Sequence, residues 1–324
     1  MKITVYEYVS GGGFAGQPIP PGVLAEGYAM LRGIVADFKA EGHEVVVLLD
    51  QRIAKFKLPL AADKIIKISD SNQPEQILTD NATTNEAVYI IAPETDQTLK
   101  KLVKAIEATG KICLNCTSSS IAAVSNKARL YEFMQNNDYT TPKTLTLNTE
   151  QSEKNINTQI TENLTFPIIL KPIDGTSGNA ISKVKNPTEI EAAIKKIKKY
   201  SKTPQFITQE YITGLSASVS VISNGQKAIA ISLNKQQITL ASPEAESSYI
   251  GGCVPLEHLQ KQKAFALAER LVEAFSGLQG YVGVDVILGE DKPYIVDVNP
   301  RLTTSYVGLH AVSDFNVAEA IVLA

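Results

Sequence analysis

Residues 293–301 read PYIVDVNPR, and the reading of this stretch decides the fold. Successive strand residues point to opposite faces, so Asp297 and Asn299 share one face while Val296 and Val298 share the other. A carboxylate and an amide inside an apolar strand invite a ligand. The run GYVGVDVIL, residues 280–288, lies just upstream of a turn at 289–292 and forms the other arm of a hairpin. A suitable register brings Asp285 beside the same pair. Burying that much negative charge without a cation costs roughly several kcal/mol per ion, so a divalent metal is the natural partner. Magnesium, which takes oxygen ligands and keeps waters while bridging nucleotide phosphates, fits best, with manganese as the alternative. The competing reading is a solvated hairpin face.

Phosphates also need cations. Lys171 sits among apolar residues in FPIILKP, 166–172, where an ammonium is unfavourable unless an anion meets it. The loop that follows contains Asp174, Gly175, Thr176, Ser177, Gly178 and Asn179, whose glycines, hydroxyls and N–H groups suit a lid over phosphates. Lys127 opens an amphipathic helix, KARLYEFMQN, within reach of the same place. Taken singly, each lysine is equally consistent with a surface charge.

Outward from these motifs, 324 residues with 44% hydrophobic and 20% charged content describe a folded chain of about two domains. A net charge of −3, a pI near 5.8 and scattered Lys and Arg argue against nucleic acid as a partner. The opening KITVYEYV is too short for a signal sequence and carries Glu7, and no stretch is long and apolar enough for a bilayer, so a cytoplasmic protein without membrane contact is expected. Cys113 and Cys116 have a redox or half-zinc spacing but lack a second ligand pair, and they read better as the end of a buried strand.

The first third alternates strand and helix patterns, which predicts a parallel sheet wrapped by helices. Short strands and a helix follow up to QFITQEYI, and Asn224-Gly225 marks a hairpin between SASVSVIS and QKAIAISLN. A long helix is expected over 256–275. The polar segment 149–163 is a linker candidate or a solvated helix.

The order Lys127, Lys171 with its Gly/Ser loop, Gln209-Glu210-Tyr211-Ile212, Asp285 and Asp297-Val298-Asn299-Pro300-Arg301 resembles the ATP-grasp superfamily over residues 120–305. The resemblance implies an α/β and α+β architecture: an N-terminal parallel α/β domain (1–117), a small subdomain (118–213) and a C-terminal subdomain (214–324), the last two clamping ATP. It further implies that a carboxylate is phosphorylated and an amine then displaces phosphate. Lys127 and Lys171 would hold the α- and β-phosphates, the 174–179 loop would close on the γ-phosphate, and Glu210, Tyr211 and Ile212 would meet adenine. Asp285, Asp297 and Asn299 would hold Mg2+. The chain departs from the pattern at Asp297, commonly Glu, at Ser216, where relatives carry an acidic ribose contact, and at Gly283, where some ligases place an Arg. Arg301 or Lys235 would supply that charge, with Arg301 as the transition-state candidate.

YEYVSGGGFAG, residues 6–16, contains Gly11-x-Gly13-x-x-Gly16 after a strand, and Asp50 ends EVVVLLD, so an NAD site is the rival function. With ATP held elsewhere, Glu7, Ser10 and Gly11 become candidates for binding substrate, as do Glu94 at a neighbouring strand end and Gly251 and Gly252 in the loop SSYIGG. A glycine turn that merely packs is the alternative. Within the superfamily, YEY, IAPETD, SNK, GLSASVSVIS, SLNKQ and YIGGCVP are most similar to the ligases that attach tyramine to the γ-carboxyl of L-glutamate in methanofuran biosynthesis. That likeness implies small-molecule acid and amine substrates, with a homodimer left open. Another amino-acid ligase and a non-catalytic nucleotide-binding protein remain as alternatives.

Overall fold

A computed structural model of the chain describes residues 1–69, 73–174 and 178–324. The first unit runs β1 (Lys2–Glu7), α1 (Pro21–Ala40), β2 (Glu44–Asp50), α2 (Gln51–Ala54), β3 (Lys64–Ile68), α3 (Pro74–Thr84), β4 (Ala87–Ile91), α4 (Thr98–Glu107) and β5 (Ile112–Cys113). Its strands are parallel in the order β3-β2-β1-β4-β5, so the chain reverses its winding between β1 and β4. Crevices beyond the carboxyl ends of strands open at such points. Both faces are covered: Ile3, Val5, Val45 and Val47 meet Leu31, Ile34 and Phe38 of α1, while Tyr6, Leu48, Val88 and Ile90 share a core with Leu99, Leu102, Val103 and Ile106 of α4. Those four α4 positions fall on one helical face, and Lys100, Lys101 and Lys104 fall outside it.

Helices α5 (Ser118–Ser125) and α6 (Lys127–Asn136) lead to the second sheet. It contains β6 (Thr144–Asn148), β7 (Ile168–Pro172), β8 (Ser182–Val184) and β9 (Gln205–Glu210) in the antiparallel order β6-β9-β7-β8, with α7 (Glu153–Asn163) and α8 (Ile190–Tyr200). The polar segment 149–163, read as a linker or a solvated helix, is largely the helix α7. Ser152 caps it by accepting from the Asn155 N–H at 3.3 Å, and Ile156 and Ile160, one turn apart, are buried against the sheet. Each buried isoleucine contributes about 1.5–3 kcal/mol, enough to anchor a helix whose other side is solvated.

The third sheet holds β10 (Leu215–Asn224), β11 (Ala228–Thr239), β12 (Ser248–Cys253), β13 (Gln279–Leu288) and β14 (Pro293–Asn299), ordered β12-β11-β10-β13-β14. The hairpin at Asn224-Gly225 is present, with Gly225 at φ +83°. The SSYIGG segment, expected as a loop, is mostly strand β12. The helix expected over 256–275 is shorter, α9 (Lys261–Glu273). It covers one face of the sheet with Ala264, Ala268, Leu271 and Val272. Helices α10 (Tyr306–Val312) and α11 (Val317–Leu323) close back onto α1 and β13.

The first and third sheets are joined where β5 ends and β13 begins. The Gly277 carbonyl accepts from the Thr117 N–H and the Ser120 hydroxyl, both at 2.8 Å, and the Cys116 thiol donates to the Gln279 carbonyl at 3.1 Å. Gly280 has φ +68°, and a Cβ there would sit 2.7 Å from the Leu114 carbonyl oxygen. Gly280→Ala is therefore expected to lose about 1–3 kcal/mol in urea unfolding. An unchanged midpoint would show that this junction yields without strain.

Candidate active site

β13 and β14 pair so that Gly283 faces Asn299, Val284 faces Val298 and Asp285 faces Asp297, with a bulge immediately after Asp285. The two carboxylates thus share one face, as the sequence alternation requires. Asn299 Nδ2 donates to Asp285 Oδ2 at 3.1 Å, and Gln236 Nε2, from β11, donates to Asp285 Oδ1 at 2.9 Å. Lys127, at the start of α6, places Nζ 2.5 Å from Asp297 Oδ2.

Lys171 projects from β7 and is 7% exposed. Its ammonium donates to the Val296 carbonyl at 3.0 Å and to the Tyr131 hydroxyl at 3.2 Å, and Tyr131 itself donates to Val296. Tyr131 thereby ties α6, the second sheet and β14 together. Burial pulls Lys171 down to about 8, against the raising effect of Asp297. Burial and the charge of Asp297 push Asp285 up to about 6. Burial also acts to raise Asp297, but Lys127 and Lys171 hold it below the usual carboxylate range.

Among the described residues no cluster of three or more His, Cys, Asp and Glu suits a metal. The donor set is instead two carboxylates and an amide oxygen, a hard oxygen set matching a cation that keeps waters and phosphate oxygens as its other ligands. Asp285 and Asp297 face one another in register, and the hydrogen bonds to Asp285 come from neutral amides that carry no net charge. On both counts the residues fit a magnesium-sized ion.

Arg301 lies just past β14, with Nε donating to Glu94 Oε1 at 3.0 Å and Oε2 at 3.1 Å, and Nη1 to the Leu302 carbonyl at 3.1 Å. This pair links the third sheet to the carboxyl end of the first, and their side chains are 17% and 7% exposed. Glu94 and Asp174 also line a cavity of about 600 Å³ with Lys100, Arg129 and Ile173. Gly175, Thr176 and Ser177 lie outside the described residues. Gly178 approaches the β11–β12 connection, where an added Cβ would lie 3.2 Å from the Ser247 carbonyl oxygen.

Several expected positions stand elsewhere. Lys235 pairs with Ala217, which pairs with Val286, so the pleat puts it on the face opposite Asp285, the side covered by α9. Glu210 shares the parity of Ile168, on the helix-covered side of the second sheet, away from Lys171. Tyr211, one residue on, has the Lys183 ammonium 3.4 Å from its ring centroid; Ile212 follows it at the strand's exit. Sequence reading missed Lys183, Gln236 and Tyr131. Lys183 faces Ile169 in register and so lies on Lys171's side, a relation legible only once β7 and β8 are paired.

The glycine loop is also corrected. Glu7 is 3% exposed and Ser10 is fully buried. Glu7 accepts from the Val9 N–H at 3.0 Å, the Ser10 N–H at 2.7 Å and the Ser10 hydroxyl at 2.6 Å, so the two satisfy each other and face no open cleft. Burial raises the Glu7 carboxyl, with those bonds opposing. The Gly11 N–H is used by the Glu7 carbonyl and the Gly13 N–H by the Tyr8 carbonyl, and Asp50 accepts from Arg52 through both side chain and backbone. Phosphate and ribose contacts of an NAD site are therefore already committed within the fold. Burial pushes the thiols of Cys113 and Cys116 up to about 11 and about 12, which leaves them protonated near neutral pH.

Comparison with known proteins places the chain in a family. Residues 124–305 match the ATP-grasp domain model, and residues 43–121 match the pre ATP-grasp 3 domain model. The chain is 31% identical over 310 residues to the tyramine–L-glutamate ligase of Methanocaldococcus fervens, covering 95% of this chain and 89% of that one. An ATP-grasp superfamily protein from Archaeoglobus fulgidus superimposes with a TM-score of 0.72 at 25% identity, over 100% of this chain and 88% of that one. The biotin carboxylase domain of Hydrogenobacter thermophilus 2-oxoglutarate carboxylase, solved with MgADP and bicarbonate, superimposes with a TM-score of 0.75 at 14% identity, over 99% of this chain and 68% of that one, a likeness of fold.

Removing one member of a buried ion pair leaves the other charge unpaired at a cost of about 3–5 kcal/mol. Arg301→Met should approach that loss in chemical denaturation, and Arg301→Met/Glu94→Gln should recover part of it. Additive effects of the two substitutions would mean that the pair is not coupled.

Proposed function

Because the chain belongs to the ATP-grasp family, we propose that it is an ATP-dependent ligase that activates the γ-carboxyl of L-glutamate as an acyl phosphate and joins it to tyramine, releasing ADP and phosphate. The observation that carries this reading is the facing Asp285–Asp297 pair, supplied with lysines from two other elements, in a chain similar along nearly its whole length to a ligase of that activity. Among the described residues no helix is long and apolar enough to cross a membrane.

In this reading Asp285, Asp297 and Asn299 hold Mg2+, and Lys127 and Lys171 neutralise nucleotide phosphates. Bound MgATP would supply a charge-shielded phosphoryl group for transfer to the acid. Lys183 and Tyr211, on Lys171's side of the second sheet, border the nucleotide. Glu94 holds Arg301 by Nε, which leaves Nη2 as a donor toward charge developing on the transferring group. Glu7 and Ser10 act one step back, by fixing the loop after β1 that walls the crevice.

ADP and phosphate should appear only when glutamate and tyramine are both present, with a product mass equal to that of their amide. ADP release indifferent to the amine would sink the ligase assignment. Asp297→Ala should abolish turnover with the fold retained by circular dichroism.

The metal assignment also carries a pH sign. A carboxyl pushed up to about 6 is protonated below that value and cannot ligate, so metal affinity should weaken as pH falls through 6 and recover above it. Calorimetric Mg2+ titration with a non-hydrolysable ATP analogue measures this, with Asp285→Asn controlling for protonation of the nucleotide. Equal pH profiles for wild type and variant would remove Asp285 from the metal site.

A further inference from the structure

β11 and β12 carry an apolar pair on the same face as the carboxylates. Ile238 and Tyr249 stand opposite one another and are 42% and 37% exposed. Alternation along β11 places Gln236 and Ile238 on one side of the sheet, and the Gln236 amide reaches Asp285 at 2.9 Å. Two strand residues span about 6.6 Å, so the apolar pair lies one pleat repeat outward from the metal carboxylate's partner.

The glycines of β12 shape this surface. A Cβ on Gly252 would lie 2.3 Å from the Lys235 carbonyl oxygen and 3.4 Å from the Tyr249 hydroxyl, so bare backbone lets the phenol lie back along the strand toward Gln236. Gly251, at φ +123°, accommodates the register shift between the two pairings. Burial raises the Tyr249 phenol, and the carboxylates of Glu26, from α1, and Asp285 add to the rise, which puts negative charge around the ring.

We infer that Tyr249 and Ile238 form the surface that receives the aromatic ring of the amine substrate, with its amino group directed inward along β11 toward Gln236. This rests on the ligase reading above and adds residues that set its choice of amine. An arylethylamine nitrogen lies roughly 5 Å from its ring centre by ordinary bond lengths, so a ring seated on the pair carries its nitrogen most of one pleat repeat inward, toward Gln236. The flat aromatic surface gives an offset stack, and the carboxylate of Glu26 matches the charge of the incoming ammonium before the amine is deprotonated.

Steady-state kinetics with each substrate varied separately tests the assignment. Tyr249→Ala should raise KM for tyramine about tenfold or more. KM for glutamate and ATP should stay unchanged, and Tyr249→Phe, which keeps the ring, should stay near wild type. Ile238→Ala should move the same constant by a smaller factor, which also provides the reading if Tyr249→Ala fails to fold. A tyramine KM unmoved by both alanine variants, or a shift confined to glutamate, overturns the inference while an active wild type leaves the ligase intact. Absence of tyramine-dependent product in the wild type itself would instead remove the ligase reading, and this inference with it.

Discussion

Everything at the centre of this molecule follows from the pairing of Asp285 with Asp297 across a hairpin whose Val284, Val286, Ile295 and Val298 pack into the core. Two carboxylates in adjacent strands repel at short range, and their partial burial raises the cost of charging both. The fold answers with groups from distant segments: an ammonium from α6, another from β7, and an amide from β11. Three sheets therefore converge on one hairpin because each brings something that hairpin lacks or supports.

The supporting contacts have the same economy. Tyr131 and Lys171 both use the carbonyl of Val296, the residue left unpaired at the bulge, so the backbone of β14 anchors α6 and the second sheet without occupying the carboxylates. At the other end of the strand, Arg301 reaches Glu94 beyond β4, where the parallel sheet changes its winding direction. The carboxyl end of the parallel sheet is thus tied to the β13–β14 hairpin, and the glycine loop after β1 packs against the ends of β2 and β4.

Strand alternation alone put Asp297 and Asn299 on one face and identified Lys171 as a buried cation, because both inferences need only local periodicity and the cost of desolvation. What was not legible depended on pairing. Lys235 sits in a promising stretch, yet its face is set by its partner Ala217, and the same register brings forward Gln236, which nothing in the local sequence distinguishes. Glu7 and Ser10 are three residues apart in a glycine-rich loop, and only the folded loop reveals that each satisfies the other. Helix α7 stood only beside a linker as an alternative because two isoleucines in eleven residues give a faint periodic signal, while β12 was obscured by glycines that break its alternation.

The two carboxylates, although paired in register, are not equivalent. Asp297 faces both lysines and is held below the usual range despite its burial. Asp285 receives hydrogen bonds from neutral amides, is more distant from those ammonium groups, and is pushed up to about 6. Amide donors satisfy lone pairs but supply no net charge, so the uncompensated charge of the hairpin is concentrated on Asp285. A divalent cation, if these residues hold one, would relieve Asp285 most. It would also weaken the claim of Asp297 on Lys127, leaving that ammonium available to an incoming phosphate. The asymmetry gives the site an order: the position that most needs a cation is the one the protein's own lysines serve least.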